Sequence, residues 1–474
     1  MLDYIVTISF RILIVNKRIG GLTMRENFSK KQTYFEFIKY VLPSIVSMIF
    51  LSFYTTIDGF FVSRFVNSDA LASINIVIPV TCVVFGISVM LATGSGALVG
   101  IKLGEKDKDG ANKLFTFITL VLLVISIILT LIGLIFLKPL LVFLGTTESI
   151  MPYASVYGFV TVLMSLPMMF KLFFEYYARV DGNPTISLIM SSVGLILNVI
   201  LDYLFIVIFK IGVLGAALGT FFSITVSAII GLIYFLSNNS NLKFSKPKLY
   251  FKDLWNSCYN GSSEMFTEFS TGITTFLFNI SILHYYGENG VAAMSIITYM
   301  YYFFIAIYFG ITVGMSPVIS YNYGAKNKEK IKESLNHSFV SIGISSLLIF
   351  VISMFFGKYI ISFFTSDIAV YEIATSGIKL FSFGFLMIGL NVFMSGYFTS
   401  IGNGQVSAII SISRSLVFVT LAILILPRFI DVNGIWLAIP VAELLTVFLS
   451  ITFYLKSNLD IEDTDTMLEN STNV

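Results

Sequence analysis

Charged residues are scarce in this sequence and make up only 12% of its 474 residues. An ordinary soluble domain carries roughly 25%. Hydrophobic residues account for 56% of the chain, and the mean hydropathy is +0.89. A soluble core of this length could not bury so much apolar surface, which excludes a soluble enzyme. We therefore expect lipid to surround most of the chain.

Residues that commonly bind metals or form disulfides are equally few. Two histidines and two cysteines lie far apart, which argues against a zinc site, an iron–sulfur cluster or a disulfide scaffold. The absence of GxxxxGK[ST] and GxSxG motifs leaves ATP hydrolysis and serine-hydrolase chemistry without candidates. A net charge of +2 is too small for a nucleic-acid-binding surface. We predict that the protein is not an enzyme and has no cofactor and no nucleic-acid partner.

What the chain does contain is a series of long apolar runs, each separated from the next by charges or by glycine and proline. Runs of about 20 or more such residues are typical of transmembrane helices. The sequence therefore predicts an all-α polytopic membrane protein with twelve transmembrane helices. Their approximate bounds are 37–64, 71–101, 110–137, 150–178, 182–209, 214–237, 254–286, 290–322, 328–357, 370–400, 404–427 and 433–456.

The basic residues predict the orientation of these helices. With the N-terminus inside, 21 of the 29 lysines and arginines fall in cytoplasmic segments or the adjoining helix ends, and five fall at the outer side. Such a bias places both termini in the cytoplasm, and we expect a multi-pass plasma-membrane protein. The predicted segments are an N-terminal segment (1–36), an N-lobe (37–237), a cytoplasmic linker (238–253), a C-lobe (254–457) and an acidic cytoplasmic tail (458–474).

Both ends of the chain carry features outside the spans. Residues 4–15 are apolar except for Arg11 and too few to cross a membrane, and no convincing cleavage site follows, which argues against a signal peptide. This stretch is either an interfacial segment or untranslated, with translation starting at Met24. The tail beyond Lys456 is rich in acids and is predicted to be disordered.

The two halves of the chain resemble each other at an offset near 220 residues. LGEKDKDGANK (103–113) matches YGAKNKEKIKE (323–333), DGNP (181–184) matches IGNG (401–404), and GVLGAALG (212–219) matches DVNGIWLA (431–438). Each half holds six predicted helices, so both halves have the same orientation. We expect two six-helix lobes related by a pseudo-two-fold axis along the membrane normal, with a cavity between them, as in transporters.

Several stretches resemble the multidrug and toxic compound extrusion (MATE) transporters. IDGFFVSRFVNSDALASINIVIP (57–79) with GSGALVGIKLGEKDKDGA (94–111) is similar to the first two helices of that family. NVILDYLFI (198–206) with GVLGAALGT (212–220) is similar to helices five and six, and MFTEFSTGITTFLFN (265–279) to helix seven. The resemblance covers about 37–457. It implies export of cationic, amphipathic compounds in exchange for Na⁺ or H⁺.

The resemblance also implies roles for individual residues. The conserved acid of the family's first helix falls on Asp58, and the proline that bends that helix falls on Pro43. The family's N-lobe cation ligands fall on Asp58, Asn198, Asp202 and Thr220, which would bind Na⁺ or a proton. One departure is Ser63, which stands where the family usually has glycine.

The depth of these residues in their helices predicts the same cluster. Asp58 and Asp202 each lie about 20 residues from the inner end of a helix, or roughly 30 Å at 1.5 Å per residue. Thr220 reaches a similar depth on a helix that descends from the other side, and Asn198 shares a face with Asp202. A buried aspartate costs about 2.5–3.5 kcal/mol on insertion scales. The alternative is that these aspartates only hydrogen-bond neighbouring helices and hold the lobe together.

The C-lobe has charges of its own. Arg414 and Glu443 lie about 15 Å from opposite faces of the membrane and are predicted to form a structural ion pair. Glu268 is a candidate for contact with a cationic substrate or a proton. Met168 and Tyr302 are weaker candidates for substrate contact, since methionine and aromatic surfaces suit promiscuous binding of flat cations. Packing in the core or against lipid is the commoner role for both.

The sequence thus favours a secondary active multidrug antiporter that works by alternating access, with organic cations and membrane lipids as partners, and we expect a monomer. A flippase of lipid-linked saccharides is the first alternative, although it usually needs a strongly basic cavity. A non-transporting membrane receptor is the second, although it has no reason to keep two buried carboxylates.

Overall fold

The computed structural model describes residues 28, 30–248 and 251–472, and within this part of the chain every regular element is helical. The alternative start at Met24 lies outside the described residues. Eleven helical segments are long and apolar enough to cross a membrane. One of them, Phe251–Gly324, is two helices joined at Gly287, whose φ of 60° and ψ of −150° are accessible mainly to glycine. The described chain therefore contains the twelve predicted transmembrane helices.

These helices are labelled α1 to α12 along the chain. A short helix, Leu137–Phe143, follows α3, and a helical turn, Asn433–Trp436, precedes α12. The bounds are Tyr34–Phe65 (α1), Ser68–Gly104 (α2), Lys108–Ile135 (α3), Met151–Val180 (α4), Pro184–Ile208 (α5), Val213–Leu236 (α6), 251–286 (α7), 288–324 (α8), Lys328–Phe364 (α9), Ile368–Ser400 (α10), Gly404–Ile430 (α11) and Ala438–Thr472 (α12).

Side-chain caps set many of the helix starts. Thr33 and Glu36 form a reciprocal capping box at the start of α1. Asn67, Asp107, Asn327 and Asn403 accept backbone N–H bonds at the starts of α2, α3, α9 and α11. Asp107 with Asn327 and Asn183 with Asn403 occupy equivalent places in the two halves, in agreement with the sequence repeat.

The helical bounds of α12 extend through Thr472, and the disorder of the tail stays a prediction. The sequence from Lys456 to Thr472 contains neither glycine nor proline. Nothing in this stretch therefore ends the helix where it leaves the apolar span.

The first six helices form the N-lobe and the last six the C-lobe, each around its own hydrophobic core. Because both lobes contain an even number of helices, α1 begins and α12 ends on the same side of the bundle, which we call the termini side; the opposite side is the distal side. Helix α2 packs closely against α7 and α8. Added Cβ atoms on Gly94 and Gly104 would overlap the backbone carbonyls of Ser257 and Tyr321. The lobes are thus in backbone contact on the termini side.

The linker between the lobes is bound to the N-lobe at Asp181, in the turn between α4 and α5. Its carboxylate accepts bonds from the Tyr234 hydroxyl (2.6 Å) and from the backbone N–H groups of Leu242 (2.7 Å) and Asn241 (3.1 Å). Burial raises the pKa of Asp181 to about 6, and these hydrogen bonds oppose the shift. One carboxyl group therefore fixes the start of the linker.

Candidate functional site

Three of the predicted ligand residues form a closed hydrogen-bonded ring in the distal half of the N-lobe. Asn198 Nδ2 donates to Asp58 Oδ1 (3.0 Å) and approaches Thr220 Oγ1 (3.2 Å). Thr220 Oγ1 donates to Asp58 Oδ2 at 2.7 Å. The three residues come from α1, α5 and α6, and each is at most 8% exposed. The structure thus brings together residues separated by up to 162 positions in the sequence.

Asp202 completes the group. Its carboxyl lies against that of Asp58 and is fully buried. Among the described residues, neither Asp202 oxygen has a hydrogen-bond donor, and Asn198 Oδ1 also lacks one. Buried polar atoms are paired in the great majority of cases. Three unpartnered acceptor oxygens beside a second carboxylate therefore indicate a place for a positive charge.

Local backbone features position this pair of carboxyls. Asn198 and Asp202 lie one turn apart on α5, and a π-helical segment, Tyr203–Ile208, begins directly after Asp202. Such segments often occur at functional sites, where they re-aim side chains. Gly219 on α6 lies so close to Asp202 that an added Cβ would overlap Asp202 Oδ1. The missing side chain at Gly219 therefore makes the space that this carboxylate occupies.

The oxygen set fits a hard monovalent cation or a proton. Sodium takes carboxylate, amide and hydroxyl oxygens, and a proton shared between close carboxyls removes their mutual repulsion. No group of three or more histidine, cysteine, aspartate or glutamate side chains suited to a metal ion occurs in the described part of the chain. A transition-metal centre accordingly has no counterpart among these residues.

The C-lobe does not repeat this chemistry. The internal repeat pairs Asp58, Asn198, Asp202 and Thr220 with positions in the C-lobe that are all apolar. These are Phe278, Phe418, Ala422 and Ile439. The acidic cluster therefore belongs to the N-lobe alone, and the two lobes differ in function although they share a fold.

Glu268 lies between the lobes. The Cβ of Glu268 is 3.7 Å from the position that a Cβ on Gly86 of α2 would take, so this glutamate faces the N-lobe across the interface. Tyr302 on α8 is within electrostatic reach of Glu268 and is 38% exposed. Met168 is only 9% exposed and packs in the N-lobe core. The structure thus brings Tyr302 within electrostatic reach of Glu268 and places Met168 in the N-lobe core.

Arg414 and Glu443 meet in the C-lobe as the sequence predicts. Arg414 Nη1 is 3.3 Å from Glu443 Oε1, and both side chains are buried. Sequence reasoning missed two further members of this network. Asn391 Nδ2 donates to Glu443 Oε2 at 2.8 Å, and Ser450 Oγ donates to Asn391 Oδ1 at 3.0 Å. Neutral polar residues inside long apolar runs are the only sequence signal that points to them.

Helix α1 continues through Pro43. This proline is the tenth residue of Tyr34–Phe65, and the helix does not end there. Since proline has no N–H, the carbonyl of Lys39 lacks its usual partner in the helix. The weak point in the hydrogen-bond ladder lies about four turns from Asp58 on the same helix, where a bend is easiest.

Arg179 is one of the 21 basic residues that the orientation count assigns to the cytoplasmic side. In the structure it lies in the last turn of α4 and is 2% exposed. Lys171 and Glu175, on the same helix, form an ion pair of 3.2 Å and are buried as well. The four-residue spacing of Lys171 and Glu175 near the inner end of the fourth span predicts that their charges neutralise each other, and the structure confirms this.

Comparisons with known proteins agree with this architecture. The family model described as MatE matches residues 43–204 and 265–424. The multidrug export protein MepA of Staphylococcus aureus (strain MRSA252) is 26% identical over 452 residues, which cover 93% of this chain and 98% of the relative. A crystal structure of MATE in complex with MaL6 superposes with a TM-score of 0.87 at 20% identity, covering 94% of this chain and 99% of that one.

A second solved structure is a MOP superfamily transporter from Pyrococcus furiosus, described as having a binding pocket of reverse polarity that suggests a different function. It gives a TM-score of 0.84 at 20% identity and covers 93% of this chain and 98% of the other. Likenesses at such low identity show the fold alone. The family match covers more than half of the sequence, one block in each lobe. This chain therefore belongs to the MATE family of membrane transporters.

Proposed function

We propose that this protein is a secondary active multidrug exporter that exchanges cationic, amphipathic compounds for Na⁺ or H⁺ across the plasma membrane. The observation that carries the proposal is the buried group of Asp58 and Asp202, with three acceptor oxygens that lack donors among the described residues. The relatives named as multidrug export proteins cover nearly the whole chain and support the same reading. The bias of basic residues supports a cytoplasmic termini side.

The mechanism follows from the placement of two acidic regions: Asp58 with Asp202 inside the N-lobe, and Glu268 between the lobes. A cation that enters from the distal side would be bound by Asp58 and Asp202, with Asn198 and Thr220 as neutral ligands. An organic cation would bind between the lobes near Glu268. The lobes are in backbone contact on the termini side, so loading from the cytoplasm requires α2 to separate from α7 and α8. Exchange results when each ligand favours a different arrangement of the lobes.

The charges between the lobes bear on the flippase alternative. Glu264 and Glu268 line the interface from α7, and Glu264 borders a cavity of about 20 Å³ between the lobes. Two basic residues lie about ten positions inside C-lobe helices: Lys379, which is exposed, and Arg414, which is paired with Glu443. An interface with this acidic character suits an organic cation better than a saccharide phosphate.

The proposal is tested with purified protein in sealed vesicles loaded with a fluorescent organic cation, under an imposed Na⁺ or pH gradient. We expect one gradient to drive efflux through wild-type protein and Asp58→Asn to reduce it at least about tenfold. Asp431→Asn is the matched control, since Asp431 is exposed on the distal side and asparagine has nearly the same shape without the charge. Folded wild-type protein that moves no organic cation under either gradient would refute the proposal.

A further inference from the structure

Three charged residues follow one another along one face of α4, on the termini side of the acidic site. Lys171, Glu175 and Arg179 are spaced by four residues, and each is 2% exposed. Two of the three are cations, so the group carries a net positive charge. Its direct charge–charge contact is the Lys171–Glu175 pair at 3.2 Å.

Hydroxyl groups extend this face across the N-lobe. Ser191 Oγ donates to Glu175 Oε1 at 2.7 Å and lies 2.9 Å from Ser47 Oγ. Ser47 Oγ in turn lies 3.4 Å from Ser187 Oγ. These residues belong to α1, α4 and α5, and all are buried. A connected set of polar side chains therefore passes through the interior of a lobe that is otherwise apolar.

The distal end of this polar set reaches the acidic site through Tyr54. Tyr54 precedes Asp58 by one turn of α1, and Lys171 Nζ lies 5.4 Å from the centre of its ring. The Tyr54 hydroxyl points toward α5 and α6, where a Cβ added to Gly194 would overlap it. Tyr54 thus lies beside the ammonium group of Lys171 and one turn from Asp58.

Unpartnered polar atoms continue the set toward the termini side. Ser44 Oγ and Tyr40 Oη are buried and lack hydrogen-bond partners in the part of the chain that the structure describes. Arg179 Nε and Nη2 lack them as well, and Arg179 is within electrostatic reach of Tyr40 and Glu175. Buried polar atoms are satisfied by water where protein groups do not reach them. We therefore interpret these atoms, together with the hydroxyl groups, as one hydrated column.

We propose that Lys171 and Arg179 form an electrostatic barrier that stops the coupling cation from leaking through this column, from the Asp58 site to the cytoplasm. The inference rests on the proposed exchange function. A water-filled path would carry Na⁺ or hydrated protons, and fixed positive charge in such a path repels both. The barrier keeps the cation on the exchange route, in which it leaves the site through the movement of the lobes.

The helix dipole favours a cation in the last turn of α4, but it does not provide Arg179 with a carboxylate partner. Among the described residues its guanidinium has no carboxylate within ion-pair distance, and a buried charge in that state is destabilising. An apolar side chain of similar length would pack at lower free energy. We therefore explain the positive charge of Arg179 by its effect on species that move through the column. The mobile species that respond strongly to this charge are ions.

The test measures passive flux of Na⁺ and of H⁺ into sealed vesicles without any organic cation. We expect Arg179→Gln to raise the leak on the order of tenfold, which corresponds to about 1.4 kcal/mol of barrier. Arg179→Lys retains the charge and should leak as little as wild type, although it alters the same packing. Arg179→Gln vesicles as tight as wild-type vesicles would overturn the proposal.

A second variant separates this outcome from a failure of the proposed function. Asp58→Asn combined with Arg179→Gln should abolish most of the added leak, because the leaking cation passes the Asp58 site. An unchanged leak in the double variant would show that the ions take another path and would overturn the barrier. Gradient-driven efflux by wild-type protein is measured in the same vesicles, so loss of exchange and loss of the barrier are measured independently.

Discussion

Gly219→Ala is the smallest change that should disturb the cation site without touching a ligand. The added Cβ would sit 3.4 Å from Asp202 Cγ and closer than 3.0 Å to its Oδ1. The carboxylate must therefore rotate or the two helices must separate. A rotation of about 30° off a staggered side-chain conformation costs of order 0.5–1.5 kcal/mol. We expect the coupling cation to bind about three- to tenfold more weakly.

The assay is efflux of an organic cation at a series of cation concentrations on the distal side. The half-saturating concentration should rise about three- to tenfold in Gly219→Ala, while efflux at saturating cation approaches the wild-type rate. Gly272→Ala and Gly343→Ala are matched controls, because an added Cβ at either position has no neighbour within 4 Å. Both controls should keep the wild-type dependence on the cation.

One result would refute this reasoning. If Gly219→Ala is folded and its half-saturating concentration equals that of wild type, Asp202 does not contribute to cation affinity in the arrangement described. A general loss of efflux in all three glycine variants would instead assign the effect to helix flexibility.

Three further predictions concern stability in detergent. Arg179→Met should raise the melting temperature, by an amount equivalent to about 1 kcal/mol or more, because it removes an unpaired buried charge; a lower melting temperature would mean that the guanidinium has a partner. Glu443→Gln should lower stability by about 3–5 kcal/mol by leaving Arg414 unpaired, and the double variant that combines Glu443→Leu with Arg414→Met should recover most of that loss. The pKa of Asp181 is raised on folding, so its contribution to stability is complete below about pH 4 and is lost as pH rises through 6. The stability of the wild type should therefore fall by up to about 3 kcal/mol between about pH 4 and 6, and Asp181→Asn should flatten this slope in a series of melting temperatures.

The sequence predicts the fold well because each helix carries its own signal. Length and hydropathy give twelve spans, and the predicted gap between 286 and 290 coincides with the break at Gly287. The acidic site is predictable for a different reason. A charged side chain deep in an apolar run is conspicuous, so the depths of Asp58 and Asp202 suffice to place them at one level.

Other features depend on tertiary packing and leave little trace in the sequence. The role of Gly219 follows from its approach to Asp202 across two helices, which no pattern within α6 reveals. Arg179 lies one residue from the end of its helix, where periodicity does not distinguish a solvated charge from a buried one. Methionine is a residue type that often lines flexible substrate pockets, but Met168 packs in the N-lobe core.

The central claim is that one cation site in the N-lobe drives exchange, and driving the exchange backwards tests it most directly. Vesicles with equal Na⁺ and pH on both sides receive an inward or outward gradient of an organic cation, and the flux of Na⁺ and H⁺ is recorded. The account predicts that wild-type protein moves one of these ions against the organic cation, and that Asp58→Asn does not. Equal ion flux in wild type and Asp58→Asn, or organic-cation movement with no ion flux, would contradict it.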